Sequence, residues 1–181
     1  MVMAQTSEYG LLVVDIQGKL ARMVQKSELY IQNTSKLVRC VKLLSVPIIC
    51  IEQNPKGLGE TVPEIANLLL DVPLFTKLNF NALNETSIRE AIKSSGKKKW
   101  LVVGIEAHVC IYQTVLGLLQ EGYEVEVVSD CLSSRLQSNI DLALINMREA
   151  GAKITSLEMC IFQLMQTCEL KQFKSVLSVI K

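Results

Sequence analysis

The chain has 181 residues, 49% of them hydrophobic, and 19 basic against 18 acidic side chains leave a net charge of +1. That hydrophobic content excludes global disorder, and the length suits one domain over residues 1–181 with a sizeable core. The balanced charge gives no bulk attraction for nucleic acid, and no run of about twenty apolar residues is present to span a membrane.

Residues 1–10 carry no basic run followed by an apolar core, so no leader is expected. Residues 11–15 read as a strand closed by Asp15. Residues 30–45 have helical periodicity, with Leu37, Val38, Val41 and Leu44 on one face. Pro47 precedes a second strand at 48–52, and the breaker-rich stretch from Asn54 to Gly59 follows it. Residues 62–70 suggest a short helix and 73–76 a short strand, with Lys77 just beyond. A helix at 87–95 opens on Ser87 and Glu90, spaced as a capping box, and stops at Gly96. The Lys97-Lys98-Lys99 run is a solvated loop between that helix and the next strand.

Residues 100–104 form the fourth strand. Ile111, Thr114, Val115, Leu118 and Leu119 then recur at helical spacing up to Gly122. A fifth strand at 124–129, a helix at 139–150 ending near Gly151, and a sixth strand at Lys153–Thr155 complete the alternation. Thr155 and Glu158 form a second capping-box pair ahead of a helix at 159–166, whose apolar stripe fits core or a subunit interface.

Strands that alternate with helices and are almost continuously apolar predict an α/β fold: a doubly wound, mostly parallel six-stranded sheet with helices on both faces. Right-handed crossovers favour the order 3-2-1-4-5-6, in which strands one and four meet at the topological switch point. Asp15 and Cys110, about a hundred positions apart, are thereby brought to one crevice, with Lys77 at a third strand end.

An acid, a cation and a thiol at three strand ends are the parts of an active site. Cys110 is expected at a helix N-terminus, where free N–H groups and the helix dipole favour a thiolate. Asp15 can take the thiol proton, Lys77 can balance the anions, and the sulfur can attack an amide or ester carbonyl to give a thioester. Each residue also has a plainer reading: Cys110 as core, Lys77 as surface, Asp15 as a turn or cap residue. His108 is a second possible base for Cys110, a wall of the turn or a contact with a neighbouring subunit. Gln17 and Phe80 are candidate pocket residues, with local packing as the alternative.

Three stretches in matching order carry a resemblance: Leu12-Val13-Val14-Asp15-Ile16-Gln17, Thr76-Lys77-Leu78-Asn79-Phe80-Asn81-Ala82-Leu83, and the run from Val102 through Cys110 to Thr114. Together they resemble the isochorismatase-like cysteine hydrolases, which include nicotinamidases and N-carbamoylsarcosine amidases, and most of all the short members of unassigned substrate. The resemblance implies an Asp15–Lys77–Cys110 triad. It also implies a cis peptide at Ile105–Glu106, with the Glu106 and Cys110 amides as oxyanion donors, and a homo-oligomer of two or more subunits. One departure matters. Metal-dependent nicotinamidases carry Asp and His ligands after strand two; here the stretch from Glu52 to Glu60 has no histidine, and His108 is the only one in the chain. A zinc site built from histidines is excluded on those grounds, and no metal or other cofactor is expected.

Cys40, Cys50, Cys110, Cys131, Cys160 and Cys168 form no C-x-x-C pair, which suits a reducing, cytoplasmic setting. The expected activity is metal-independent hydrolysis of a small amide, ureido or ester compound. The alternatives are a non-catalytic oligomeric binding protein on the same fold, and a thiol sensor, which would have no nearby cysteine to resolve an oxidised Cys110.

Overall fold

A computed structural model describes residues 6–181. Of the stretch expected to carry no leader, residues 1–5 lie outside the described residues. Strands β1 (Tyr9–Val14), β2 (Ile48–Gln53), β3 (Leu74–Lys77), β4 (Lys99–Gly104), β5 (Glu124–Leu132) and β6 (Lys153–Thr155) form one sheet. Its order is β3-β2-β1-β4-β5-β6, and every pairing is parallel. This is the doubly wound sheet anticipated from the alternation of elements. The helices are α1 (Leu20–Met23), α2 (Ser27–Leu43), α3 (Pro55–Leu58), α4 (Pro63–Ala66), α5 (Thr86–Ser94), α6 (Tyr112–Gln120), α7 (Gln137–Glu149), α8 (Leu157–Met165) and α9 (Phe173–Ile180).

Every residue of β1 is buried, because helices cover the sheet on both sides. Leu11 and Val13 pack into a core with Val41 of α2, Leu164 of α8 and Val176 of α9. Leu12 and Val14 point the other way, into a core with Ile88 of α5, Val115 of α6 and Met147 of α7. A strand covered on both faces needs apolar residues at odd and even positions alike, which is why these strands read as continuous runs.

Several boundaries differ from expectation for local reasons. The helix expected at 62–70 shrinks to α4, and Leu70 stands in solvent. The Ser87–Glu90 capping box does not form: Glu85 is the N-cap residue of α5 and its side chain caps nothing there. Its carboxylate instead accepts from the Leu78 and Asn79 N–H groups at 3.0 and 3.3 Å, pinning the chain beyond β3. The Thr155–Glu158 box is likewise replaced, since the Ser156 hydroxyl accepts from the Met159 N–H at 3.3 Å. β5 runs on to Leu132 past an irregularity in its pairing with β4. Helix α9 has no counterpart in the expected elements. No helix among the described residues is long and apolar enough to cross a membrane.

Gly104 ends β4 directly beside Val14, with φ at +128°, and a Cβ there would collide with the Val14 carbonyl oxygen. Gly122, with φ at +85°, has open space around it. Gly104→Ala is therefore expected to lose about 3 kcal/mol or more in urea unfolding, because backbone must move as well as strain. Gly122→Ala should lose only about 1–2 kcal/mol, the backbone cost alone. Equal losses would show that β1 and β4 do not approach as closely as described.

Candidate active site

Parallel strands deliver their last residues to one edge of the sheet, and three strand ends supply the candidate groups. Asp15 follows β1 with φ at +57°, a left-handed conformation that aspartate tolerates better than most residues. Its N–H donates to the Ile51 carbonyl at 2.9 Å, which ties the end of β1 to β2. Lys77 is the last residue of β3 and only 2% exposed. Its Nζ donates to Asp15 Oδ2 at 2.8 Å and to Gln53 Oε1 at 2.5 Å.

Cys110 belongs to a π-helical turn, Ala107–Ile111, between β4 and α6. Its Sγ lies 3.9 Å from the same Gln53 oxygen, and the residue is 7% exposed. The structure thus brings Asp15, Lys77 and Cys110 to one spot, although they come from three separate strand–helix units.

Cys110 lies in the first turn of a helical run, since the π-helical turn leads without a break into α6, but the residue is buried. Burial and then the Asp15 charge push its thiol up to about 12, and the opposing pull of Lys77 is too small to reverse this. Burial also raises the Asp15 carboxyl above the usual carboxylate range, with Lys77 acting against the rise. Asp15 Oδ1 makes no hydrogen bond of good geometry, while the nearby Cys110 thiol is a donor that lowers the Asp15 pKa.

The Ile105–Glu106 peptide is cis. The Glu106 carbonyl accepts from the Val109 and Ile111 N–H groups at 3.0 and 3.3 Å, and among the described residues the Glu106 N–H has no partner. The Glu106 carboxylate turns aside to Arg135, taking its backbone N–H at 3.1 Å and its Nε at 2.9 Å.

The remaining candidates fall in different places. His108 is tied at both ring nitrogens, Nδ1 to Ser134 Oγ at 3.0 Å and Nε2 to Asn139 Nδ2 at 3.2 Å. With both ring nitrogens engaged by these partners, neither is free to serve Cys110. Gln17 is fully buried and bonded to backbone: Nε2 donates to the Gln53 and Gly59 carbonyls at 3.1 and 2.6 Å, and Oε1 accepts the Gln53 N–H at 2.7 Å. It is a strap under the site, not a lining residue. Phe80 is 52% exposed, on a loop held by Thr114, whose Oγ1 accepts the Ala82 N–H at 3.1 Å and reaches the Phe80 carbonyl at 3.4 Å.

Gln53 escaped the reading of the sequence. The sequence pattern ends the second strand at Glu52, one residue short of the position that registers with Lys77. Among the described residues no three His, Cys, Asp or Glu side chains come together as a metal-binding set.

Residues 9–159 match the family described as Isochorismatase domain. The chain belongs to that family. It is 39% identical over 175 residues to the secreted isochorismatase effector Isc1 of Phytophthora sojae (strain P6497), covering 94% of this chain and 83% of that protein. The family fold is equally clear in three dimensions. The MAR1 ribonuclease of Caenorhabditis elegans superimposes with a TM-score of 0.92 at 34% identity, covering 99% of this chain and 92% of that one. The YcaC gene product of Escherichia coli, an octameric hydrolase of unknown specificity, superimposes at 0.91 with 24% identity, covering 99% and 91%, a likeness of fold alone.

The Lys77–Asp15 pair supplies a direct test of this geometry. Its two side chains are 0% and 2% exposed, so removing one partner strands a charge out of water. Lys77→Met is expected to cost roughly 3–5 kcal/mol in urea unfolding near neutral pH, and adding Asp15→Asn to it should recover most of the loss. A single-variant cost under about 1 kcal/mol, the value of a surface pair, would contradict the burial described.

Proposed function

We propose that this protein is a metal-independent cysteine hydrolase of a small amide, ureido or ester compound, with Cys110 as nucleophile, Asp15 as base and Lys77 as the neighbouring cation. The observation that carries the reading is the buried Lys77–Asp15 ion pair, joined through one Gln53 oxygen to the Cys110 thiol.

A neutral thiol fixes the order of events. Asp15 takes the Cys110 proton as the sulfur bonds to the substrate carbonyl carbon, so that free thiolate need not accumulate. The carbonyl π electrons move to oxygen, where the Glu106 and Cys110 N–H groups serve as donors to the oxyanion. Collapse of that intermediate expels the amine or alcohol, which leaves with the proton from Asp15, and a thioester remains. Water then attacks the thioester and gives a proton to Asp15. The C–S bond breaks, the acid departs and the proton returns to sulfur. Throughout, Lys77 compensates the negative charge as it moves between Asp15, sulfur and oxygen.

A small substrate is favoured because Cys110 is buried, and exposed apolar Leu78 and Phe80 stand on the pinned loop just after Lys77. The worm relative is named a ribonuclease; for this chain a net charge of +1 supplies no surplus attraction for a polyanion, and the groups beside the thiol suit a carbonyl centre. Six free cysteines, five of them buried, support a reducing cytoplasmic setting. Homo-oligomerisation is part of the same proposal, supported by apolar side chains left in solvent on α7 (Leu142, Ile145) and α8 (Met159, Phe162).

The test is a hydrolysis screen over small amides, ureas and esters. Cys110→Ala should abolish turnover, and Cys110→Ser should be nearly as damaging, because a hydroxyl is a far weaker acid than a thiol. Asp15→Asn should also be severe. His108→Ala should stay within roughly tenfold, about 1.4 kcal/mol. Full turnover in Asp15→Asn beside collapse in His108→Ala would replace Asp15 by the histidine; turnover surviving in Cys110→Ala would sink the mechanism. Light scattering should give a mass at least twice that of one chain, and a monomer would refute the oligomer.

A further inference from the structure

Lys77 and Cys110 meet at a third side chain that the resemblance does not assign. Gln53 Oε1 accepts from Lys77 Nζ at 2.5 Å and lies 3.9 Å from Cys110 Sγ. The orientation of this amide is fixed, since its Nε2 donates to the Leu78 carbonyl at 2.9 Å and only the oxygen can then face the lysine. Its backbone is fixed too. Gln17, fully buried, takes the Gln53 N–H on its own amide oxygen and returns its Nε2 to the Gln53 carbonyl. Two buried amides thus form a stack: Gln17 grips the Gln53 backbone, and the Gln53 side chain grips the ammonium.

We propose that Gln53 is a positioning residue, whose amide oxygen holds the Lys77 ammonium beside Cys110 while Gln17 holds Gln53. The inference rests on the hydrolase reading above. The geometry explains why two acceptors are needed. An ammonium has three N–H groups; Asp15 and Gln53 take two, which leaves the third to the sulfur or the substrate oxygen. With Asp15 alone, Lys77 would be free to pivot about one bond. A neutral amide also serves better than a carboxylate here, because a second negative charge would compete for Lys77 and oppose ionisation of the thiol.

The readout is alkylation of Cys110 by iodoacetamide at fixed mildly alkaline pH, followed by peptide mass in a Cys168→Ser background, because Cys168 is the exposed thiol. Gln53→Met should slow the reaction at least about fivefold by letting Lys77 drift from the sulfur. In a Lys77→Met background the same change should have almost no effect, since Gln53 acts through the lysine. An unchanged or faster rate in Gln53→Met would overturn the proposal, as would an equal slowing in both backgrounds. Thermal unfolding of each variant checks that it is folded. Should Gln53→Met or Lys77→Met fail that check, Gln53→Glu decides: it keeps the shape and should slow alkylation by at least the same factor, whereas a wild-type rate would refute the coupling. Alkylation needs no substrate, so failure to find turnover would count against the hydrolase reading and leave this comparison standing.

Discussion

An ammonium and a carboxylate 2.8 Å apart and shut away from water set the terms for the rest of this molecule. Burying either charge alone costs several kcal/mol, so the fold must bring both partners together and then satisfy what remains of each. Lys77 meets this demand with a second acceptor, Gln53. Asp15 has one oxygen on Lys77 and leaves the other without a bond of good geometry, on the carboxylate whose pKa the Cys110 thiol lowers. A pair that only stabilised the fold would be better replaced by apolar residues. One with an oxygen in reserve beside a thiol is suited to receiving a proton.

The sheet order makes the pair possible. β1 lies between β2 and β4, so the end of β1 is flanked by the Gln53 end of β2 and by the turn that carries Cys110. β3 lies beyond β2, and its last residue registers with Gln53. Lys77 therefore reaches Asp15 across the end of β2, and the amide it meets on the way belongs to the strand it crosses. Gln17, just after β1, closes the arrangement by bonding to the backbone of that residue. In the proposed mechanism these contacts keep the positive charge stationary while the proton and the negative charge move.

Much of this was legible in the residues because it depends on periodicity and on strand ends. Continuous apolar runs reveal strands buried on both faces, and the residues that close them mark the carboxyl edge, which is how Asp15, Lys77 and Cys110 could be placed together. The parts that were not legible depend on single-residue detail. Reading β2 to stop at Glu52 hid Gln53. A π-helical turn carries Cys110 into α6 and buries it, and that burial, which raises the thiol pKa, has no signal in the local sequence. The expected caps fail because α5 already begins at Thr86, ahead of Ser87, and because Ser156 rather than Thr155 caps α8. By composition His108 could be a base, a wall of the turn or a subunit contact, and the partners that engage both its ring nitrogens, Ser134 and Asn139, lie 26 and 31 residues further along the chain.

In the proposed mechanism Cys110 rests as a thiol and gives its proton to Asp15 only as the sulfur attacks. The most direct measurement is an ultraviolet titration of thiolate absorbance in the substrate-free protein, taken as the difference between wild type and Cys110→Ala. A thiol pushed up to about 12 predicts no Cys110 step below about pH 9, above the ordinary cysteine value of about 8.5. A Cys110 step at or below about pH 7 would contradict it, and would mean that Lys77 holds a preformed thiolate.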